Sequence, residues 1–249
     1  MRTPPFCISL ARIGEVTSNM SNVEWLKSVR VRTAQASRHF QDADFPACRS
    51  LILELQAEGV DTPLARVGLA TLDYIDEQFD AAVDQLQRAE QMGRAPARVW
   101  ELIGRLYLRL RRTTEGSRAL DRAIVMEPGC ASAHHARGLA YLLSGDPAAA
   151  DREFRDALQC GAQSFEAHYH LGIALQRQQR VDEAVEAFKA AVSVAPAEAA
   201  AAHRRLADLL ERRGQGAFAQ HHRALAQRCG PSRRPWFFDV EWLRQGLAT

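Results

Sequence analysis

The sequence predicts an all-α protein made of stacked helical repeats, and three observations carry this prediction. A pattern of small and large residues recurs every 34 residues without insertion, which is typical of a repeat array. Within each half of the repeat, apolar residues lie three and four positions apart, as Leu139, Leu142 and Leu143 do, and this is the helical period. No alternating apolar run flanked by turn residues predicts a strand.

The repeat divides the chain into about six helix pairs. The clearest units cover residues 97–130, 131–164 and 165–198, and they share the positions Gly104, Gly138 and Gly172. Weaker units cover about 29–62 and 63–96 upstream and about 200–231 downstream, so that we expect the array to run from 21 to 231.

Turn residues and small residues justify the individual helices. In Gly145-Asp146-Pro147, Asp146 is expected to cap a helix and Pro147 to occupy its first turn. Gly or Ala occupies the positions where the two helices of a pair must cross closely, and Tyr or Phe fills the space beside them. Each unit is therefore predicted to be a helix, a short turn and a second helix.

The period and the residue order resemble the tetratricopeptide repeat (TPR). The unit 97–130 matches the preferred residues of that family best, with Trp100, Ile103, Gly104, Tyr107, Ala123 and Pro128. The resemblance implies a solenoid of helix-turn-helix units wound into a right-handed superhelix with terminal capping helices. It also implies that the first helix of each pair lines a concave groove that binds a partner.

Both ends of the chain differ from the array. Helical patterning begins at Ser21. We therefore expect residues 1–20 to be a disordered leader, or the start of the protein to have been assigned too far upstream. Residues 232–249 contain Trp236 and Trp242 and are expected to cap the last repeat or to dock onto another protein.

Composition narrows the class of protein. A net charge of +2 argues against an overall positive electrostatic potential that would attract nucleic acid. No apolar run reaches the ~20 residues that a membrane-spanning helix needs. Five cysteines without a C-x-x-C pair favour a reducing compartment over a disulfide framework. We therefore expect a cytoplasmic protein, in a bacterial-type cell, that inserts into no membrane.

The sequence predicts neither catalysis nor a cofactor. It lacks a nucleophile elbow, a phosphate-binding glycine loop and an H-E-x-x-H motif. His134, His168 and His203 occupy equivalent repeat positions, but adjacent repeats lie about 10 Å apart, which is too far for ligands of one metal ion. We expect no metal site.

The candidate partner-binding residues follow from the resemblance, which places first-helix residues in the groove. They form an apolar centre with arginines at both ends, although Leu139 and Ile173 could instead pack on neighbouring helices. The set is Arg105, Arg109, His135, Leu139, Leu142, Tyr169, Ile173, Arg177, Arg204 and Arg205.

These residues favour a non-catalytic adaptor or scaffold that binds another protein. The expected ligand is a peptide or helix with apolar anchors and an acidic group, because arginine binds carboxylates well. Two alternatives remain at this stage. One is an accessory subunit that acts in trans on a sulfotransferase or glycosyltransferase, and the other is a sensor of a peptide ligand.

Overall fold

The computed structural model describes residues 22–196 and 199–229, and this part of the chain contains helices and no strand. The all-α prediction is confirmed. The helices are α1 (Asn22–Gln41), α2 (Phe45–Ala57), α3 (Pro63–Ile75), α4 (Phe79–Gln91), α5 (Ala97–Arg109), α6 (Thr113–Met126), α7 (Ala131–Ser144), α8 (Pro147–Gln159), α9 (Phe165–Arg177), α10 (Val181–Val194), α11 (Ala200–Arg212) and α12 (Gly216–Arg228).

The described residues fall into two compact units, 22–95 and 96–229. In the first unit α1 packs on α2 and α3 on α4. In the second unit the pairs are α5–α6, α7–α8, α9–α10 and α11–α12, and each pair contacts the next through α6–α7, α8–α9 and α10–α11. This is the helix-turn-helix solenoid that the 34-residue period predicts.

In the pairs α7–α8 and α9–α10 the two helices cross at glycine. A Cβ atom added at Gly138 would lie 2.6 Å from Phe154 Cε1, and one added at Gly172 would lie 2.7 Å from Phe188 Cε1. Phe154 and Phe188 are themselves fully buried. The small-beside-large pattern of the sequence is therefore a packing requirement in these two successive units.

The turn between α7 and α8 has the predicted capping. Gly145 ends α7 with φ of 83°, a left-handed conformation that glycine adopts without strain. The Asp146 carboxylate accepts a hydrogen bond from the Ala149 amide at 2.9 Å, and Pro147 stands in the first turn of α8. Both helix ends are thus satisfied locally.

Two expectations concern residues outside the described part of the chain: the leader at 1–20 and the capping or docking role of 232–249. Among the described helices, none combines the length and the apolar character that a bilayer span requires.

Candidate functional site

All ten candidate residues lie on α5, α7, α9 and α11, the first helices of the four pairs in the second unit. We call the side of the unit formed by these helices the first-helix face. The candidates differ in exposure. Arg105, His135, Leu139 and Leu142 are buried; Arg109, Tyr169, Ile173 and Arg205 are half-buried; Arg177 and Arg204 are exposed.

The apolar centre lies mostly inside the protein. Leu139 and Leu142 belong to a hydrophobic cluster that extends from Leu108 on α5 to Leu209 on α11. Leu139 therefore packs on neighbouring helices, which is one of the two alternatives that the sequence left open. Leucine side chains in this position stabilise the stack of repeats and leave the apolar surface of α9 as the accessible part.

The accessible apolar surface is a stripe along α9. Phe165, Tyr169 and Ile173 follow one another at every fourth position, and each is half-buried against the core cluster. The rings of Phe165 and Tyr169 stack with centroids 5.4 Å apart and an interplanar angle of 14°. Sequence reasoning missed Phe165, although its four-residue spacing from Tyr169 was a sufficient signal.

Arg177 lies at the end of this stripe and joins two repeats. Its Nη1 donates a hydrogen bond of 2.7 Å to the carbonyl oxygen of Leu142, near the end of α7. A last-turn carbonyl has no intrahelical donor, so this bond satisfies a helix terminus. One nitrogen of the Arg177 guanidinium is therefore already hydrogen-bonded within the protein.

A buried polar group lies on α5, α7 and α9. Arg105 forms a buried ion pair with Glu101 at 2.7 Å, and burial lowers the pKa of Arg105 to about 9 despite the opposing effect of that carboxylate. His135 Nε2 lies 3.0 Å from His170 Nδ1, so one ring donates and the other accepts. Burial, with smaller contributions from His170 and Arg105, holds the pKa of His135 well below its usual range.

The last two candidate arginines, Arg204 and Arg205, lie on α11. Within the described residues neither forms an ion pair. Glu211, a nearby acid that could have neutralised them, instead pairs with Arg223 of α12 at 3.0 Å. Arg205 is half-buried, and a partly desolvated guanidinium gains most from a carboxylate supplied by a ligand.

The three histidines at equivalent repeat positions have three different surroundings. His134 contacts Glu153 and the Pro128 carbonyl, His168 contacts Gln163, and His203 contacts His222. Sequence reasoning overlooked Glu153, a buried carboxylate on α8 that also accepts a hydrogen bond from Arg137. A comparison of the repeats would have singled out Glu153, because the equivalent positions 119 and 187 are alanine.

Profiles of known families match the middle of the chain. Two matches, both described as tetratricopeptide repeat, cover residues 101–165 and 165–198. No curated protein sequence matches the chain significantly.

Solved structures share this fold at low sequence identity. A crystal structure of MamA superposes with a TM-score of 0.58 at 18% identity, covering 63% of this chain and 91% of MamA. The C-terminal part of a TPR repeat-containing protein from Cytophaga hutchinsonii gives 0.63 at 12% identity, covering 79% and 78%. The Cut9–Hcn1 hetero-tetramer of the APC/C gives 0.66 at 14% identity, covering 87% of this chain and 42% of the other.

Proposed function

The chain is a tetratricopeptide-repeat protein, and from this we propose that it is a non-catalytic scaffold that holds another protein on its first-helix face. TPR folds generally serve protein–protein interaction. One structural neighbour belongs to a hetero-tetramer of the APC/C, Cut9–Hcn1. A binding role is therefore the coarse function that the fold supports.

The ligand that we propose is a peptide or helix with apolar anchors and an acidic group. The observation that carries this proposal is the arginine pair on α11, because Arg204 and Arg205 form no ion pair within the described residues. The half-buried stripe Phe165, Tyr169 and Ile173 on the preceding first helix would receive the apolar anchors. Aromatic side chains with one face packed on a core bind apolar groups at a small entropic cost.

The four cysteines among the described residues are free thiols, which fits the proposed reducing, cytoplasmic location. Cys48 is buried, and burial raises its pKa to about 11, so that this thiol stays protonated and unreactive at neutral pH.

A displayed library of random peptides tests the proposal. We expect selection on the immobilised full chain to enrich sequences that combine aromatic or aliphatic residues with Asp, Glu or a free carboxyl terminus. Enrichment should disappear when the immobilised chain carries Arg204→Glu and Arg205→Glu. Selection of basic sequences, or equal enrichment by both baits, would contradict the proposed ligand chemistry.

A further inference from the structure

A polar cluster in the pair α7–α8 has the arrangement of a metal site. His134 lies between two oxygen atoms: its Nε2 is 2.9 Å from the carbonyl oxygen of Pro128, and its Nδ1 is 3.0 Å from Glu153 Oε2. A carbonyl oxygen can only accept, so Nε2 carries the hydrogen. Nδ1 therefore faces Glu153 Oε2, and the two atoms can be bridged either by a proton or by a metal ion that lies to one side of them and binds both.

A third ligand lies one helical turn away on the same helix. Asp156 follows Glu153 by three positions on α8, and one ligand atom from each of His134, Glu153 and Asp156 lies within 4.8 Å of the other two. Asp156 is half-buried and forms no ion pair within the described residues. Its carboxylate is available to a cation, and its partial exposure leaves a path from solvent.

The surrounding groups orient these ligands as supporting residues do around bound metals. The Pro128 carbonyl fixes the tautomer of His134, which is the usual role of the second ring nitrogen of a metal-ligating histidine. Arg137 Nη2 donates to Glu153 Oε1 at 2.7 Å, so that Oε2 alone faces the imidazole. Asp121 accepts from Arg137 Nη1 at 3.0 Å and offsets the charge of the guanidinium.

The other repeats show that the fold does not require this cluster. The positions equivalent to Arg137 and Glu153 are apolar in both flanking units: Ile103, Leu171, Ala119 and Ala187. In the unit 97–130 the position equivalent to Asp156, there a longer arginine, also faces the ring at the position equivalent to His134. There Arg122 lies over the ring of Trp100, 4.5 Å from its centroid.

We propose that His134, Glu153 and Asp156 bind one divalent transition-metal ion such as Zn²⁺, with water in the remaining coordination positions. One imidazole and two carboxylates are ligands that zinc accepts. Histidines at equivalent positions of successive repeats are expected to lie too far apart to share an ion, whereas this site takes one histidine and two acids from a single repeat. A bound ion would join α7, α8 and the turn at Pro128.

Titration calorimetry with ZnCl₂ tests the site on the full, untagged chain after removal of metal and in the presence of a non-chelating reductant. We expect one ion per chain, and Asp156→Asn should weaken its dissociation constant at least about tenfold. Since Asp156 forms no ion pair within the described residues, the melting temperature of the metal-free variant should equal that of the wild type. Asp208→Asn, at an exposed aspartate of α11, is the matched control and should bind zinc like the wild type.

Three results would overturn the proposal. The first is the absence of stoichiometric zinc binding, and the second is equal affinity in Asp156→Asn and the wild type, which would leave His134 and Glu153 as an ion pair only. The third is loss of binding in Cys160→Ser, because the exposed thiol of Cys160 lies 4.0 Å from the Pro128 carbonyl oxygen and could bind zinc by itself.

Discussion

His135 and His170 share one hydrogen bond across two repeats, with 3.0 Å between Nε2 of the first and Nδ1 of the second. Both rings are buried, and their centroids lie 5.1 Å apart. The pair is surrounded by Phe154 and Tyr169, while Arg105 is the nearby cation. This apolar environment stabilises a neutral imidazole pair. It disfavours an imidazolium, which would be a second positive charge beside Arg105.

The pair should make the protein sensitive to acid. Burial lowers the pKa of His170 to about 4 and that of His135 well below 6.5, so the unfolded chain binds protons more tightly than the folded one. The free energy of unfolding should therefore fall as pH drops below the unfolded pKa, by about 2 kcal/mol near pH 5 for His170 alone, and His135 should add to the loss in the same direction. Urea denaturation at several pH values measures this.

A variant with Phe at both positions should keep most of the stability at pH 7 and show a smaller decline between pH 6.5 and 4. Part of the decline should remain, because burial also lowers the pKa of His168, His203 and His222. His221→Gln, at an exposed ring that contacts neither member of the pair, is the control and should change the decline less than the double-Phe variant does. A double-Phe variant with a profile parallel to that of the wild type would show that the acid sensitivity arises elsewhere.

Gly172→Ala should destabilise the protein although alanine is the better helix former. The added Cβ would lie 2.7 Å from Phe188 Cε1, and overpacking of this kind costs roughly 1–3 kcal/mol. Thermal or chemical unfolding measures the loss. Gly216→Ala is the matched control, because a Cβ there meets no atom within 4 Å.

Combining Gly172→Ala with Phe188→Leu should recover part of the stability that each change loses, since the smaller side chain leaves space for the methyl group. If Gly172→Ala were as harmless as Gly216→Ala, the close crossing of α9 and α10 would not contribute to stability as described.

Asp146→Ala should cost about 1 kcal/mol, because the amide of Ala149 loses the carboxylate that accepts its hydrogen bond. Asp146→Ser should restore most of this loss, since a serine hydroxyl can accept the same bond. Equal melting temperatures for the alanine and serine variants would contradict the capping role.

Packing within a pair was predictable from the sequence because it repeats with the chain. Gly138 and Phe154 are 16 residues apart, as are Gly172 and Phe188, and each glycine lies against its phenylalanine. The Gly145-Asp146-Pro147 turn was predictable for the same reason: its chemistry is local.

The contacts between one helix pair and the next were not predictable in this way. The distance from His135 to His170, or from Arg177 to the Leu142 carbonyl, depends on how one pair is rotated on the next, and a 34-residue period does not specify that rotation. The burial of Leu139 and Leu142 has the same origin. Glu153 was missed for another reason: a carboxylate at a position otherwise held by alanine breaks the pattern from which the helices were derived.

The central claim is that the arginine pair on α11 receives an acidic group of a partner, and the dissociation constant of one selected acidic peptide tests it most directly. Arg204→Glu with Arg205→Glu should weaken binding more than roughly tenfold, because charge-assisted hydrogen bonds contribute about 1.5–3 kcal/mol. Arg152→Glu, at an exposed arginine of α8, should leave the dissociation constant unchanged, and a peptide with lysine in place of its acid should regain affinity for the double variant. An equal loss at Arg152, or no loss at Arg204 and Arg205, would contradict the account.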